Sequence, residues 1–140
     1  MASGIYNRFK ANLMNKIVDL EDDTIKVMLL DSGYTFAATH NVIGDVSGDE
    51  IADTTSNGNG YTTGGKTLAG KAVTQAATTK FDGTDSAWTV ATITARYAVL
   101  YDDTVGTDDL IACFDFGTDK SSVAGTFTIQ WASAGILTLS

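Results

Sequence analysis

Residues 60–67, GYTTGGKT, satisfy the pattern G-x-x-x-x-G-K-[ST] of phosphate-binding loops. In such a loop Gly60 and Gly65 would let backbone N–H groups curl around a phosphate. Lys66 would neutralise the outer phosphates and Thr67 would hold magnesium. A metal-orienting partner is also visible, because the apolar run YAVLYD ends at Asp102. The context argues the other way. A phosphate loop needs a buried apolar strand before it, and Gly60 follows the polar stretch IADTTSNGN. It also needs a helix after it, whereas 68–81 contains Gly70 and many Thr and Val residues without a helical stripe. No nucleotide site is expected.

The remaining reactive side chains are sparse. Asp102, Asp103, Asp108 and Asp109 bracket a turn around Gly106, and Asp45, Asp49, Glu50 and Asp53 gather in a long polar stretch. Oxygen-rich loops of this kind bind calcium when they supply six to eight ligands in a suitable spacing. Neither group has such a spacing, so solvated turns are expected. His40 is the only histidine and Cys113 the only cysteine, which leaves too few ligands for zinc and no intramolecular disulfide. No serine sits in a nucleophile-elbow pattern. The expectation is a protein with no catalytic residue, no metal and no cofactor.

The elements that would carry these residues are mostly strands. In 88–101 Ile93, Ala95, Tyr97, Val99 and Tyr101 alternate onto one face, with Thr92, Thr94 and Arg96 beginning the other. Residues 110–116 and 126–131 follow, the second with Phe127, Ile129 and Trp131 inward. Period-two runs rich in Thr, Val, Ile and aromatics mark antiparallel strands buried on one face. Further strands are expected at 24–30, within 68–81, and at the closing ILTL. Residues 4–18 read instead as an amphipathic helix, with Ile5, Phe9, Leu13 and Ile17 four apart and Ser3 as N-cap. That helix either packs over one end of the strands or reaches to a neighbouring subunit.

These patterns predict an all-β fold. The expected form is an antiparallel β-sandwich, jelly-roll-like, with one N-terminal amphipathic helix; immunoglobulin-like connections remain open. One domain over 1–140 is expected, with the helix or arm at 1–20, the sandwich at 24–140, and a long loop at 31–67. A loop of that length inside a small domain carries recognition or packs between subunits.

The net charge is −8 with a pI near 4.3, which disfavours direct nucleic-acid binding. The charge is unevenly spread: residues 1–18 carry +3 and the remainder −11. No stretch is long and apolar enough for a membrane span, and no export signal is visible. Trp88, Trp131, Tyr34 and Tyr61 raise a glycan-binding face as one reading, with Tyr34 and Tyr61 the better exposed candidates.

The segments ASGIYNRFKANLMN, DTIKVMLLD, ATHNV, GYTTGGKTL, ITARYAVLYDD and FTIQWASAGILTL, in this order, cover nearly the whole chain. Together they resemble a family of small virion structural proteins of tailed bacteriophages. In that family the lysine at the position of Lys66 is not a fixed feature, which further weakens the nucleotide reading. The resemblance implies a capsid decoration, or cement, protein. Such a protein is made in the host cytoplasm and resides on the capsid exterior of the virion. It binds the phage major capsid protein as a homo-dimer or homo-trimer and contacts neither nucleic acid nor membrane. The helix 4–18 and the loop 31–67 are the natural contact elements, which nominates Tyr6, Arg8, Phe9, Lys10, Tyr34, Phe36 and Tyr61 for partner binding. A tail, neck or fibre component of the same particle is the alternative, and a glycan-binding adhesin module is the alternative from another class.

Overall fold

The computed structural model describes residues 3–55 and 60–140; positions 56–59 of the expected 31–67 loop lie outside the described residues. The chain is predominantly β, with every strand pair antiparallel. In order come β1 (Gly4–Ile5), α1 (Asn7–Met14), β2 (Ile25–Leu30), β3 (Lys66–Thr67), β4 (Ala72–Thr74), β5 (Thr79–Asp82), β6 (Ser86–Asp102), β7 (Asp109–Ile129) and β8 (Leu137–Leu139). They form a five-stranded sheet, β1-β7-β6-β2-β3, and a three-stranded sheet, β4-β5-β8.

The inner strand β2, IKVMLL, is apolar on both faces from Val27 onward and is buried on both there, with only Lys26 part-exposed. Ile25, Val27 and Leu29 enter one core with Phe81, Ile111 and Ile136, beneath the small sheet. Met28 and Leu30 enter a second core with Tyr34, Val46, Tyr97, Tyr101 and Cys113. A continuous apolar run, instead of an alternating one, is what a strand covered on both sides requires.

Strands β6 and β7 form one long hairpin, so the two strands expected at 110–116 and 126–131 are parts of a single strand. A bulge interrupts it where Arg96 alone, between Ala95↔Lys120 and Tyr97↔Asp115, faces the β7 stretch 116–119. Gly117, within that stretch, adopts φ +81°. The bulge shifts the pleat. Ile93 and Ala95 therefore face the first core, while Tyr97, Val99 and Tyr101 face the second, and the single face expected for these five residues is split.

The N-terminal helix is shorter than expected. Gly4 and Ile5 pair with Cys113 and Ala112 of β7, and the Ser3 hydroxyl accepts the Asp115 N–H instead of capping the helix. At the other end Lys16 adopts φ +57°, the Ile17 N–H donates to the Asn12 carbonyl, and the Lys16 N–H donates to the Leu13 carbonyl. This is a Schellman termination with lysine where glycine is favoured. Residues 31–51 do not project either. The Asp31 N–H donates to Asp49 O, Ile43 N–H to Asp108 O, and Leu110 N–H to Asn41 O, fastening the segment over the second core. Two short 3-10 turns, Ile43–Asp45 and Ser47–Asp49, shape it.

Candidate interaction surface

The phosphate-loop lookalike has a structural role. Gly65, at φ +83°, packs so close to β2 that an added Cβ would lie 1.9 Å from the Val27 carbonyl oxygen. The Gly64 N–H donates to Glu50 Oε1 at 2.6 Å, the same oxygen that accepts the Tyr61 hydroxyl at 2.6 Å. The Tyr101 hydroxyl donates to the Gly64 carbonyl at 2.5 Å. Lys66 bends away to donate to the Ala87 carbonyl, and the two-residue strand β3, not a helix, follows the glycines. A carboxylate of the chain itself occupies the amide that a phosphate would use.

Four of the nominated contact residues are interior. Tyr6 and Tyr61 have no exposed surface, and Tyr34 and Phe9 are nearly as enclosed. Each tyrosine is buried because its hydroxyl finds a partner in place. Tyr6 and Tyr34 share a 2.8 Å hydrogen bond, and Tyr34 continues to His40 Nδ1 at 3.0 Å. Tyr61 donates to Glu50, accepts the Leu29 N–H at 3.1 Å, and lies 5.9 Å from the Trp88 ring. Desolvation drives the Tyr6 and Tyr61 hydroxyls far above the ordinary tyrosine range, and lifts Tyr34 to about 12. Phe36 is half-buried against the Tyr6 ring, at 5.2 Å. Polarity of the surrounding loop sequence concealed all of this, since Tyr34 and Tyr61 stand among Gly, Ser, Asn and Thr.

Arg8 and Lys10 remain on the helix surface, with different fates. Arg8 Nε lies 3.1 Å from Asp109 Oδ2, an ion pair without an aligned hydrogen bond. Asp109, itself buried, also accepts Asn12 Nδ2 at 2.7 Å and the Thr107 hydroxyl at 2.5 Å. From α1 the Asn12 hydrogen bond and the Arg8 ion pair thus hold the helix to the start of β7, while Thr107 holds the same carboxylate from its own turn. Lys10 is exposed and borders a groove between α1 and the small sheet.

That groove is the principal surface feature, and only part of it was legible as an amphipathic stripe. It has a volume of about 530 Å³ and an apolar lining that includes Phe9, Leu13, Val18, Val73, Phe81 and Leu139. The helix stripe descends into the core at Phe9 but is left open further along: Leu13 is 41% exposed, Ile17 49% and Met14 90%. Across the groove Val73 and Leu139 are also exposed. Contiguous apolar surface of this kind marks contact sites more often than scattered single residues do. A second exposed apolar site lies on the far part of the β6–β7 hairpin, where Val90 and Val123 stand out to solvent. Val90 takes φ +49°, an uncommon conformation for a β-branched residue, at a bulge. Beyond Asp115 the outer edge of β7 pairs with no strand among the described residues. Among the described residues no group of three or more His, Cys, Asp or Glu side chains is placed to hold a metal ion, and no helix is long and apolar enough to cross a membrane. No protein-family model, curated protein or solved structure matches this chain.

Proposed function

We propose that this chain is a structural subunit of a tailed-phage particle, a capsid decoration protein that binds the head exterior and bridges coat subunits. In this reading the two sheets pack as a small sandwich that serves as a rigid body, and it turns over no substrate. The observation that carries the proposal is the uncovered apolar surface of the N-terminal segment: a groove lined by Phe9, Leu13, Val73 and Leu139, with Met14 and Ile17 also exposed at the end of the helix. Its place on the basic N-terminal segment supports docking on an oppositely charged partner surface, because residues 1–18 carry +3 on an acidic chain. A protein that binds only the assembled shell stabilises it by mass action, without any reactive group. Tyr34 and Tyr61 face inward and so offer no exposed ring to the glycan-binding alternative.

The contact elements are revised accordingly. Partner binding is assigned to the exposed edge of α1 with Lys10, and not to Tyr6, Phe9, Tyr34 or Tyr61. Deleting the N-terminal segment would be a poor test, because β1 and Phe9 belong to the fold. The test is the double variant Met14→Glu with Ile17→Glu, which adds charge to solvent-facing positions. Its melting temperature is expected to stay within a few degrees of the parent, while its incorporation into particles is lost. Incorporation at the parental level would refute the assignment of this face.

A further inference from the structure

The part of the β6–β7 hairpin furthest from its turn, residues 86–95 paired with 121–129, is a ribbon without charge. Residues 86–95 and 121–140 contain no Asp, Glu, Lys, Arg or His, in a chain that is 19% charged overall. Burial does not account for this. Trp88, Ala91, Ile93 and Phe127 enter the first core, but Val90, Thr92, Thr94, Val123, Thr126 and Thr128 are exposed. Val123 is 81% exposed.

The backbone holds these valines outward. Val90 at φ +49° and Ala124 at φ +45° are left-handed, which residues with a Cβ adopt unwillingly. They lie where the ladder slips, between Trp88 and Ala91 and again between Ala91 and Ile93. Bulges re-aim side chains and blunt an edge against strand addition. A contact made here therefore uses the side chains of the ribbon and does not extend the sheet. Next to Val123 lies a hollow of about 350 Å³, lined by Phe116, Phe127 and Ile129 together with Thr126 and Thr128. Lys120 is its one charged lining residue among the described residues. The bend of β7 creates it: the Phe116 and Phe127 rings lie 6.4 Å apart, where a straight strand would hold them roughly 36 Å apart.

We infer that this face is a two-fold interface with a second copy of the chain, the Val90–Val123 knob of each copy seating in the hollow of the other. Charge selects that occupant. A chain of net charge −8 repels its own kind, and the other exposed elements carry carboxylates: Asp19, Glu21 and Asp22 after the helix, Asp45 and Asp53 in the long loop, and Asp103 at the hairpin turn. Two copies meet without opposing acids at the ribbon. An unlike partner would need no such avoidance. Interface centres are depleted of charge, and a two-fold contact requires both halves of the fit on one patch, as the knob and the hollow are. The inference does not rest on the capsid reading. Where both hold, the pair carries two helix edges and engages two sites at once, which multiplies their separate affinities.

Sedimentation equilibrium of the full chain tests it, with monomer and dimer expected in exchange. The double variant Val123→Glu with Thr126→Glu sets carboxylates against each other across the two-fold axis, and should raise the dissociation constant by roughly tenfold or more. Its far-UV circular dichroism should match the parent. Should it fail to fold, Val123→Lys makes the same test, because like charges again meet at the axis. Met14→Glu with Ile17→Glu, on the helix face, should leave the dimer unchanged, so this interface and the capsid proposal fail separately. Hydrogen exchange at 121–129 should be slower in the parent than in the folded ribbon variant. A parent that stays monomeric up to about 1 mM would overturn the inference. So would a trimer, a dimer that persists with the ribbon substitutions, or one that is lost with the helix substitutions.

Discussion

Replacing Asp109 by Ala tests how α1 is fixed, and its size can be worked out from the contacts. The carboxylate is 4% exposed and accepts Asn12 Nδ2 at 2.7 Å, while Asn12 is itself 5% exposed. Removing the acceptor strands a buried amide, which costs about 1–3 kcal/mol, and hydrogen bonds to a charged group contribute about 1.5–3 kcal/mol. Arg8 adds little, because its side chain is 41% exposed and solvent screens the pair. The overlapping terms give a loss of about 2–4 kcal/mol, or a melting temperature lower by roughly 6–12 °C at this chain length. A double-mutant cycle with Asn12→Ala isolates the contact, with a coupling of about 1.5–3 kcal/mol expected. Hydrogen exchange should accelerate first in Asn7–Met14, where the anchor is lost. The reasoning fails if the two substitutions add to within about 0.5 kcal/mol. It fails equally if protection of α1 is unchanged.

Three further outcomes follow from the backbone and the core. Lys16→Gly relieves the left-handed φ of +57° at the helix terminus and should raise stability by about 0.5–1 kcal/mol in urea denaturation. Gly65→Ala, whose Cβ would lie 1.9 Å from the Val27 carbonyl oxygen, should cost about 3 kcal/mol or more and open the β2–β3 edge, read by loss of amide protection at Lys66 and Thr67. Burial pushes the Cys113 thiol from 9.0 up to about 12, so its stabilising contribution is present below pH 9 and is lost as the pH rises through about 12. Thiol labelling at mildly alkaline pH should therefore track global unfolding; rapid labelling of the native protein would contradict the burial.

The parts legible in the sequence were those where one local pattern decides the structure. The apolar run IKVMLL and the closing LTL became strands. The helix was overestimated because a four-residue spacing from Ile5 to Ile17 says nothing of the strand pairing that captures Gly4–Ile5, or of Lys16 closing the helix. The face of Tyr97, Val99 and Tyr101 was misread through the bulge at Arg96, which depends on how much β7 chain lies opposite. The buried tyrosines were hidden for a related reason. Tyr61 is enclosed by Glu50 and Leu29, and Tyr34 by Tyr6 and His40, so only tertiary contacts reveal either. Asp102 and Asp109 look alike in sequence. They differ in that an Asn and an Arg from the helix reach Asp109, whereas Asp102 Oδ2 is buried without a donor.

The functional reading rests on the uncovered helix edge meeting another viral protein. A cryo-EM map of the purified particle tests it most directly. The account predicts this chain on the outside of the head, in numbers that match the coat lattice, with Leu13, Met14 and Ile17 turned into the coat protein. Absence from the particle, a ring of copies confined to the neck or tail, or a helix edge left facing solvent would contradict it.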